Sequence, residues 1–160
     1  MVVGSIRKSQ VCEAETAKKQ RCRNRTARGK MCWIHLKKLK GLRVKKSAHG
    51  LGLFTTRDIH KNKIIVPYKG EGMTRKEVAK RYPKKDGRYV ICTRTGDRCI
   101  DARNTTSGVG RFANTAKGSK KKSNARFTDR TLNIKSRKKS RIKAGTQILV
   151  SYGKGHTFTF

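Results

Sequence analysis

Gly110-Arg111-Phe112-Ala113-Asn114-Thr115-Ala116, then Ser123-Asn124-Ala125-Arg126, then Gly145-Thr146-Gln147 leading into Ser151-Tyr152-Gly153, is the part of this chain whose reading decides the fold. It is an ordered set of Gly, Asn and Tyr positions. It stands in a sequence whose basicity, taken alone, suggests only an anionic partner.

Working back from it, the pattern is that of short strands joined by turns. Leu42-Arg43-Val44 alternates like a strand, and His49-Gly50-Leu51-Gly52-Leu53-Phe54 reads as a turn followed by a strand. Lys63 to Tyr68 is a further strand, ended by Lys69-Gly70-Glu71-Gly72. Thr74 to Arg81 is a short helix, with Thr74 as N-cap, Glu77 at the capping-box position, and Pro83 stopping it. Arg88 to Cys92 and Arg98 to Asp101 flank Thr95-Gly96-Asp97 as a hairpin, in which Cys92 and Cys99 are expected to be ordinary strand residues. Residues 126–134 and 146–152 supply the last strands. The fold class is therefore β-rich, all-β or α+β. Two lysine clusters, Lys117 to Lys122 and Lys135 to Lys143, interrupt it as exposed loops or hairpin tips.

The chain has 160 residues, enough for one domain plus an appendage. Lys and Arg number 43 against 9 Asp and Glu, a formal charge of +34, with 34% hydrophobic residues, so the core is small. Such a charge favours an acidic partner, nucleic acid first, because counterion release rewards each lysine–phosphate contact. An anionic membrane surface or an acidic protein assembly would also serve. No apolar run approaches the roughly 18 residues of a membrane span, and Met1 to Arg7 lacks the apolar stretch of a signal peptide. Five cysteines fit a full disulfide framework poorly and favour a reducing, intracellular setting.

The appendage is residues 1–40, with the main domain at 41–160. Cys12, Cys22, Cys32 and His35 recur at regular intervals, a complete tetrahedral Cys3His set for structural Zn2+. The Cys-x9-Cys-x9-Cys gaps are wider than the knuckle pairs of common fingers, and only Cys32-x-x-His35 has ordinary spacing. The alternatives are reduced cysteines in a basic hairpin, or a Cys12–Cys22 disulfide. Trp33, Ile34, Leu36 and Leu39 give the unit an apolar helical edge.

From Leu42 onward, the order of Gly50-Leu51-Gly52, Tyr68-Lys69-Gly70-Glu71, Tyr89, Ile100-Asp101-Ala102, Arg111-Phe112-Ala113-Asn114, Asn124-Ala125-Arg126 and Val150-Ser151-Tyr152-Gly153 resembles the SET-domain protein lysine methyltransferases. The compact SET proteins of large DNA viruses are the nearest in look. The resemblance implies small curved sheets with a threaded C-terminal segment, and S-adenosylmethionine as cofactor. It implies that Gly50, Leu51 and Gly52 approach the cofactor's methionine part, and that Asn114, with Arg111, Phe112 and Thr115 beside it, lies on the cofactor side. Arg111 and Asp101 also serve as braces. By the same resemblance Tyr152 is the catalytic phenol, Tyr68 and Tyr89 line the lysine channel, and Phe158 covers the adenine. The family has His and Ser after the Asn, where this chain has Thr115 and Ala116. The metal-binding cysteines that often follow the domain are absent from the sequence.

Two functions follow as expectations. One is lysine methyl transfer to a histone or viral chromosomal protein in the host nucleus. Lys117, Lys120, Lys121, Lys122, Arg137, Lys138 and Lys139 would then hold nucleic acid, and the few acidic residues, Glu71, Glu77, Asp86, Asp97 and Asp101, would be available to a substrate groove. The other is a SET fold reused without catalysis as a basic component of a virion, against capsid proteins or packaged DNA. A plain nucleic-acid-binding zinc protein would leave residues 42–160 unexplained. At 6% aromatic content without regular spacing, the chain has no base-stacking platform.

Overall fold

A computed structural model describes residues 9–84, 86–117, 120–139 and 141–151. Strands β1 (Gln10–Val11) and β2 (Arg25–Thr26) pair antiparallel at the start. A helical stretch follows, α1 (Trp33–His35) running on into a wider π-type turn (Leu36–Lys40). Gly41, in the left-handed conformation at φ 62°, ends it by donating its N–H to the carbonyls of Leu36 and Lys37. Of the expected apolar edge, only Leu36 is buried; Trp33, Ile34 and Leu39 face outward. The change from α to π geometry at Leu36 breaks the 3.6-residue period on which that expectation rests.

The hairpin of β3 (Leu42–Ser47) and β4 (Gly50–Thr55) pairs Leu42 with Thr55 and Ser47 with Gly50. Next come β5 (Ile64–Pro67), β6 (Glu71–Met73), α2 (Arg75–Arg81), β7 (Val90–Cys92) and β8 (Cys99–Asp101). Helix α2 carries the expected capping box, with Glu77 N–H donating to Thr74 Oγ1 and Thr74 N–H donating to Glu77 Oε2 at 2.6 Å. Strands β6, β8 and β7 form one antiparallel sheet. Its register sets Cys92 opposite Cys99, and the two are joined by a disulfide, so they are not simple strand residues as expected.

A short 3-10 turn (Val109–Phe112) leads into β9 (Asn114–Thr115); β10 (Ala125–Phe127), β11 (Asn133–Ser136) and β12 (Leu149–Ser151) complete the chain order. The largest sheet is ordered β5-β11-β10-β12-β9. Strand β12 enters between β10 and β9 and is parallel to both, which is the threaded C-terminal segment in physical form. The single strand expected over 126–134 is instead two, separated by a turn in which Leu132 has φ 50° and is fully buried. Thr128 holds that turn: its carbonyl accepts from Leu132 N–H and its hydroxyl from Asn133 N–H. Within the expected strand 146–152, ladder pairing is confined to Leu149–Ser151 among the described residues, and Gln147 bridges to Phe54 alone.

One core joins these sheets, with Leu42, Leu53, Ile91, Leu132, Ile134, Ile142, Ile148 and Val150 fully buried. Leu36 belongs to it, and Met31 packs both against it and against the cysteine cluster. The N-terminal unit is therefore seated on the main domain by apolar contact as well as by chain connection.

Candidate functional site

The first site is a cleft of about 340 Å³ lined by His49, Gly50, Leu51, Tyr89, Thr105, Arg111, Phe112 and Asn114. Each wall has a local cause. Gly50 opens β4 at φ +79°, a conformation that a side chain rarely adopts. At Gly110 a Cβ would lie 2.8 Å from the Pro67 carbonyl oxygen, so glycine is what lets the 3-10 turn press on β5 and turn Arg111 and Phe112 into place. The Asn114 side-chain amide donates to Ser47 Oγ and to the Leu51 carbonyl, both at 3.2 Å, and so ties β9 to the β3–β4 hairpin.

Arg111 is buried. Its guanidinium donates to the carbonyls of Ala102 (2.5 Å) and Arg103 (2.6 Å) and lies 3.9 Å over the Tyr89 ring. It is thus a brace and a cleft wall at once. Tyr89 is half-buried and faces the cleft, whereas Tyr68 is buried, donating its hydroxyl to the Tyr89 carbonyl at 2.8 Å and meeting Phe127 edge to face. Thr115 pairs with Val150 in the ladder and Gly52 lies beside Gln147; neither is among the residues that line the cleft. The expected catalytic Tyr152 and the expected adenine cover Phe158 lie outside the described residues.

Two residues of this region carry more than their sequence context signals. Asn124 holds the threaded strand on three bonds: its N–H donates to the Leu149 carbonyl (3.0 Å), its side-chain amide to the Gln147 carbonyl (2.8 Å), and its Oδ1 accepts from Leu149 N–H (2.9 Å). Thr105 lines the cleft with its hydroxyl buried and without a hydrogen-bond partner among the described residues. No spacing in the sequence marks Thr105, whereas Asn124 belongs to the Asn124-Ala125-Arg126 motif, whose position in the chain order is visible in the sequence but whose bonds are not.

Of the acidic residues expected to serve a substrate groove, Asp101 is buried, whereas Glu71, Glu77 and Asp97 are exposed and bonded to neighbouring groups. Asp101 is buried and accepts from Tyr82 Oη (2.6 Å), Arg81 Nη1 (3.1 Å) and Arg103 N–H (2.9 Å). Burial first, then Asp101, pushes the Tyr82 phenol well above its ordinary pKa. Arg81 also pairs with Glu71, whose carboxyl is held below its usual range mainly by that hydrogen bond. Glu77 caps α2, and Asp97 accepts from Thr93 and Thr95.

The second site is the cluster Cys12, Cys22, Cys32 and His35, whose ligand atoms all lie within 4.8 Å of one another. The β1–β2 pairing extends inward to build it, through Cys12 N–H to the Asn24 carbonyl (2.8 Å) and Cys22 N–H to the Ala14 carbonyl (2.9 Å). His35 Nδ1 lies 3.4 Å from Cys32 Sγ and 3.6 Å from Cys12 Sγ. Cys32 N–H donates to Cys12 Sγ at 3.2 Å, and the Asn24 side-chain amide reaches Cys32 Sγ at 3.9 Å. The three cysteines are buried and free of disulfides, which removes the Cys12–Cys22 disulfide as an alternative. Burial works to raise the Cys32 thiol, but hydrogen bonds from His35, Asn24 and Cys12 outweigh it and bring it down to about 6. At Cys22 the Asn24 backbone bond lowers the pKa, while burial and the neighbouring Cys12 and Cys32 raise it further, for a net rise. Three sulfurs and an imidazole converging in a buried pocket can hold a tetrahedral metal ion; the donor set suits Zn2+ and leaves no position for water.

The basic residues expected to meet nucleic acid gather at one edge. Lys117, Lys120, Lys121 and Lys122 lie exposed on the β9–β10 connection, and Arg137, Lys138 and Lys139 lie exposed after β11. The β10–β11 pairing brings the two segments together, and Arg137 Nη1 donates to Ser123 Oγ at 2.9 Å across them.

A search of curated proteins finds no match to this chain. The SET domain family matches residues 50–153, which takes in every lining residue of the cleft except His49, both basic segments and the threaded strand. With that match over more than half of the chain, and with β12 drawn between β10 and β9 beside a cleft of glycine, asparagine and tyrosine, the chain belongs to the SET domain family.

Proposed function

We propose that this protein is an S-adenosylmethionine-dependent protein-lysine methyltransferase whose substrate is a histone or another chromosomal protein presented on nucleic acid. SET domains are generally protein-lysine methyltransferases that use S-adenosylmethionine, so the class follows from the family. The observation that carries the reading is the cleft itself. It has a volume in the range of small-molecule sites, a half-buried tyrosine on one wall, an asparagine-pinned glycine turn on another, and a buried Thr105 hydroxyl awaiting a polar partner.

The cofactor would be held by the Gly50–Leu51 backbone, by Phe112 and Asn114, and by the Thr105 hydroxyl. When bound it supplies an electrophilic methyl group. The residues of this chain have to bring a neutral lysine amine in line with that methyl and exclude water. Tyr89 forms the channel side, stiffened by the Arg111 guanidinium on its face and by the Tyr68 hydroxyl on its carbonyl. Tyr68 acts through Tyr89 in this reading and is a positioning residue. Tyr152 would orient the amine with its phenol. A positive surroundings disfavours the ammonium form of the incoming lysine, so the charge of +34 that repels a basic tail also promotes the neutral nucleophile. Nucleic acid across the Lys117–Lys122 and Arg137–Lys139 edge would offset the repulsion.

Structural Zn2+ in the Cys3His cluster would fix the N-terminal unit. A noncatalytic role within a virus particle is the second reading, favoured by Thr115 and Ala116 standing where the family has His and Ser. Calorimetric titration with S-adenosylmethionine separates the two. Saturable binding, with label transferred from the cofactor to nucleosomes or histones, and loss of that transfer in Tyr152→Phe with DNA affinity unchanged, supports the enzyme. No heat and no transfer sinks it.

A further inference from the structure

The N-terminal unit presents apolar side chains that nothing in the fold covers. Trp33 is 67% exposed, Ile34 43% and Leu39 49%, all on the short stretch from Trp33 to Lys40. Among the described residues, the exposed large hydrophobics are these three and Ile64. The stretch contains no acidic residue, and Lys37, Lys38 and Lys40 stand exposed between and beside the apolar ones. Next to Trp33 is a depression of about 200 Å³ whose lining includes Arg25, Arg28 and Met31. The N-terminal unit therefore carries an indole, two aliphatic side chains and several cations outward on one short helical stretch.

We propose that this face docks the protein on an anionic lipid surface, with Trp33, Ile34 and Leu39 entering the headgroup boundary and Lys37, Lys38, Lys40, Arg25 and Arg28 meeting the lipid phosphates and carboxylates. Charge fixes the sign of the partner. The aliphatic pair fixes its class: Ile34 and Leu39 have no π face for a base to stack on, and their exposure is relieved only by apolar matter. An indole favours the membrane–water interface, where its ring is buried and its N–H stays wet. A fluid surface also needs no groove shaped to receive a protruding edge. No helix among the described residues is long and apolar enough to cross a membrane, so the attachment is peripheral. The inference is independent of the methyl-transfer reading, since the cleft and this face share no lining residue.

Trp33 is the single tryptophan of the chain, so its fluorescence reports on this face alone. The full-length, zinc-loaded protein is titrated with vesicles of phosphatidylcholine containing a third phosphatidylserine, and separately with pure phosphatidylcholine vesicles and a single-stranded oligonucleotide. The expected result is a blue shift of Trp33 emission with the anionic vesicles, and quenching by lipids brominated near the top of the acyl chain. The double variant Ile34→Ser/Leu39→Ser should bind those vesicles at least about tenfold more weakly. Both side chains are exposed, and an unchanged zinc content shows that the variant has folded. Vesicle binding without a blue shift or bromolipid quenching would mean that charge alone holds the protein, and would overturn the proposal. So would equal partitioning of the double variant. A Trp33 response to the oligonucleotide but not to anionic vesicles would assign the face to nucleic acid. A concentration-dependent shift in buffer, unaltered by vesicles, would assign it to a second copy of the chain.

Discussion

The backbone amide of Gly29 donates to the carbonyl of Thr105 at 2.7 Å, joining the Cys3His unit to the wall of the cleft. Thr105 is itself a lining residue of that cleft, and its hydroxyl is buried. Gly29 is held at φ +92°, and a Cβ there would lie 2.8 Å from Val109 Cγ1. Gly29→Ala should therefore cost about 1–3 kcal/mol through strain and displacement. Cofactor affinity, measured by calorimetry, should fall with it. A variant with lowered melting temperature and unaltered affinity would show that the bond supports the fold without shaping the cleft.

Metal removal should act on the same seam. The unit has Cys12, Ala14, Cys22 and Cys32 as its own buried cluster, too few residues to hold it by apolar packing. Chelation should lower the melting temperature of the wild type and leave Cys22→Ser, already poor in metal, nearly unaffected. Elemental analysis should give one zinc per wild-type chain. An unchanged melting curve after complete zinc loss would refute a structural role.

Asn114→Ala removes both side-chain bonds to Ser47 and Leu51. The loss should be about 1–2 kcal/mol in stability. The loosened Gly50 turn should weaken S-adenosylmethionine binding about tenfold, which corresponds to roughly 1.4 kcal/mol. Calorimetry and thermal melts measure the two effects separately.

The Tyr82–Asp101 bond gives the protein an alkaline limit. The Tyr82 phenol is raised above its ordinary value near 10.0, so its stabilising effect is complete below that pH and is lost as pH climbs beyond it. Wild-type stability should drop above pH 10 more steeply than that of Tyr82→Phe. At neutral pH the variant should be less stable by about 1–3 kcal/mol, because Asp101 loses a buried donor. Glu71 works in the opposite sense: its carboxyl is lowered below 4.5 by Arg81, so its contribution is present above that pH and fades on acidification. Denaturation midpoints across pH 3 to 11 test both limbs.

Deleting Lys120–Lys122 should flatten the salt dependence of DNA binding. Each lost phosphate contact removes about 0.9 from the slope of log affinity against log salt, so up to roughly 3 is at stake. Filter binding or fluorescence anisotropy over a salt series measures it. An unchanged slope would exclude this loop from the contact.

Much of the β order was legible because each signal is local. The Thr74 capping box, the Gly96 turn between β7 and β8, and the Gly50 opening of β4 depend on neighbours a few residues away. The Cys3His set was legible because the ligand types are chemically scarce, although their wide spacing gave no geometry. What failed was where distant segments decide. Leu132 is drawn into the core at a left-handed φ and splits an expected strand. The helical stretch changes geometry at Leu36, which leaves Trp33, Ile34 and Leu39 outside. Cys92 and Cys99 read as plain strand positions, and it is the antiparallel register that sets their sulfurs together.

The sequence by itself determined the charge, the β-rich class, the metal donor set and the order of the SET motifs, since these reside in residue type and short-range spacing. Tertiary structure alone decided that Asn114 ties to Leu51, that Asn124 clamps the strand entering between β10 and β9, that Arg111 lies on Tyr89, and that Gly29 reaches Thr105. Those bonds join residues up to 76 positions apart, between Gly29 and Thr105, and a hydrogen bond or a ring contact acts only over a few ångströms. Nothing along the chain specifies which distant groups will meet until the core has closed around them.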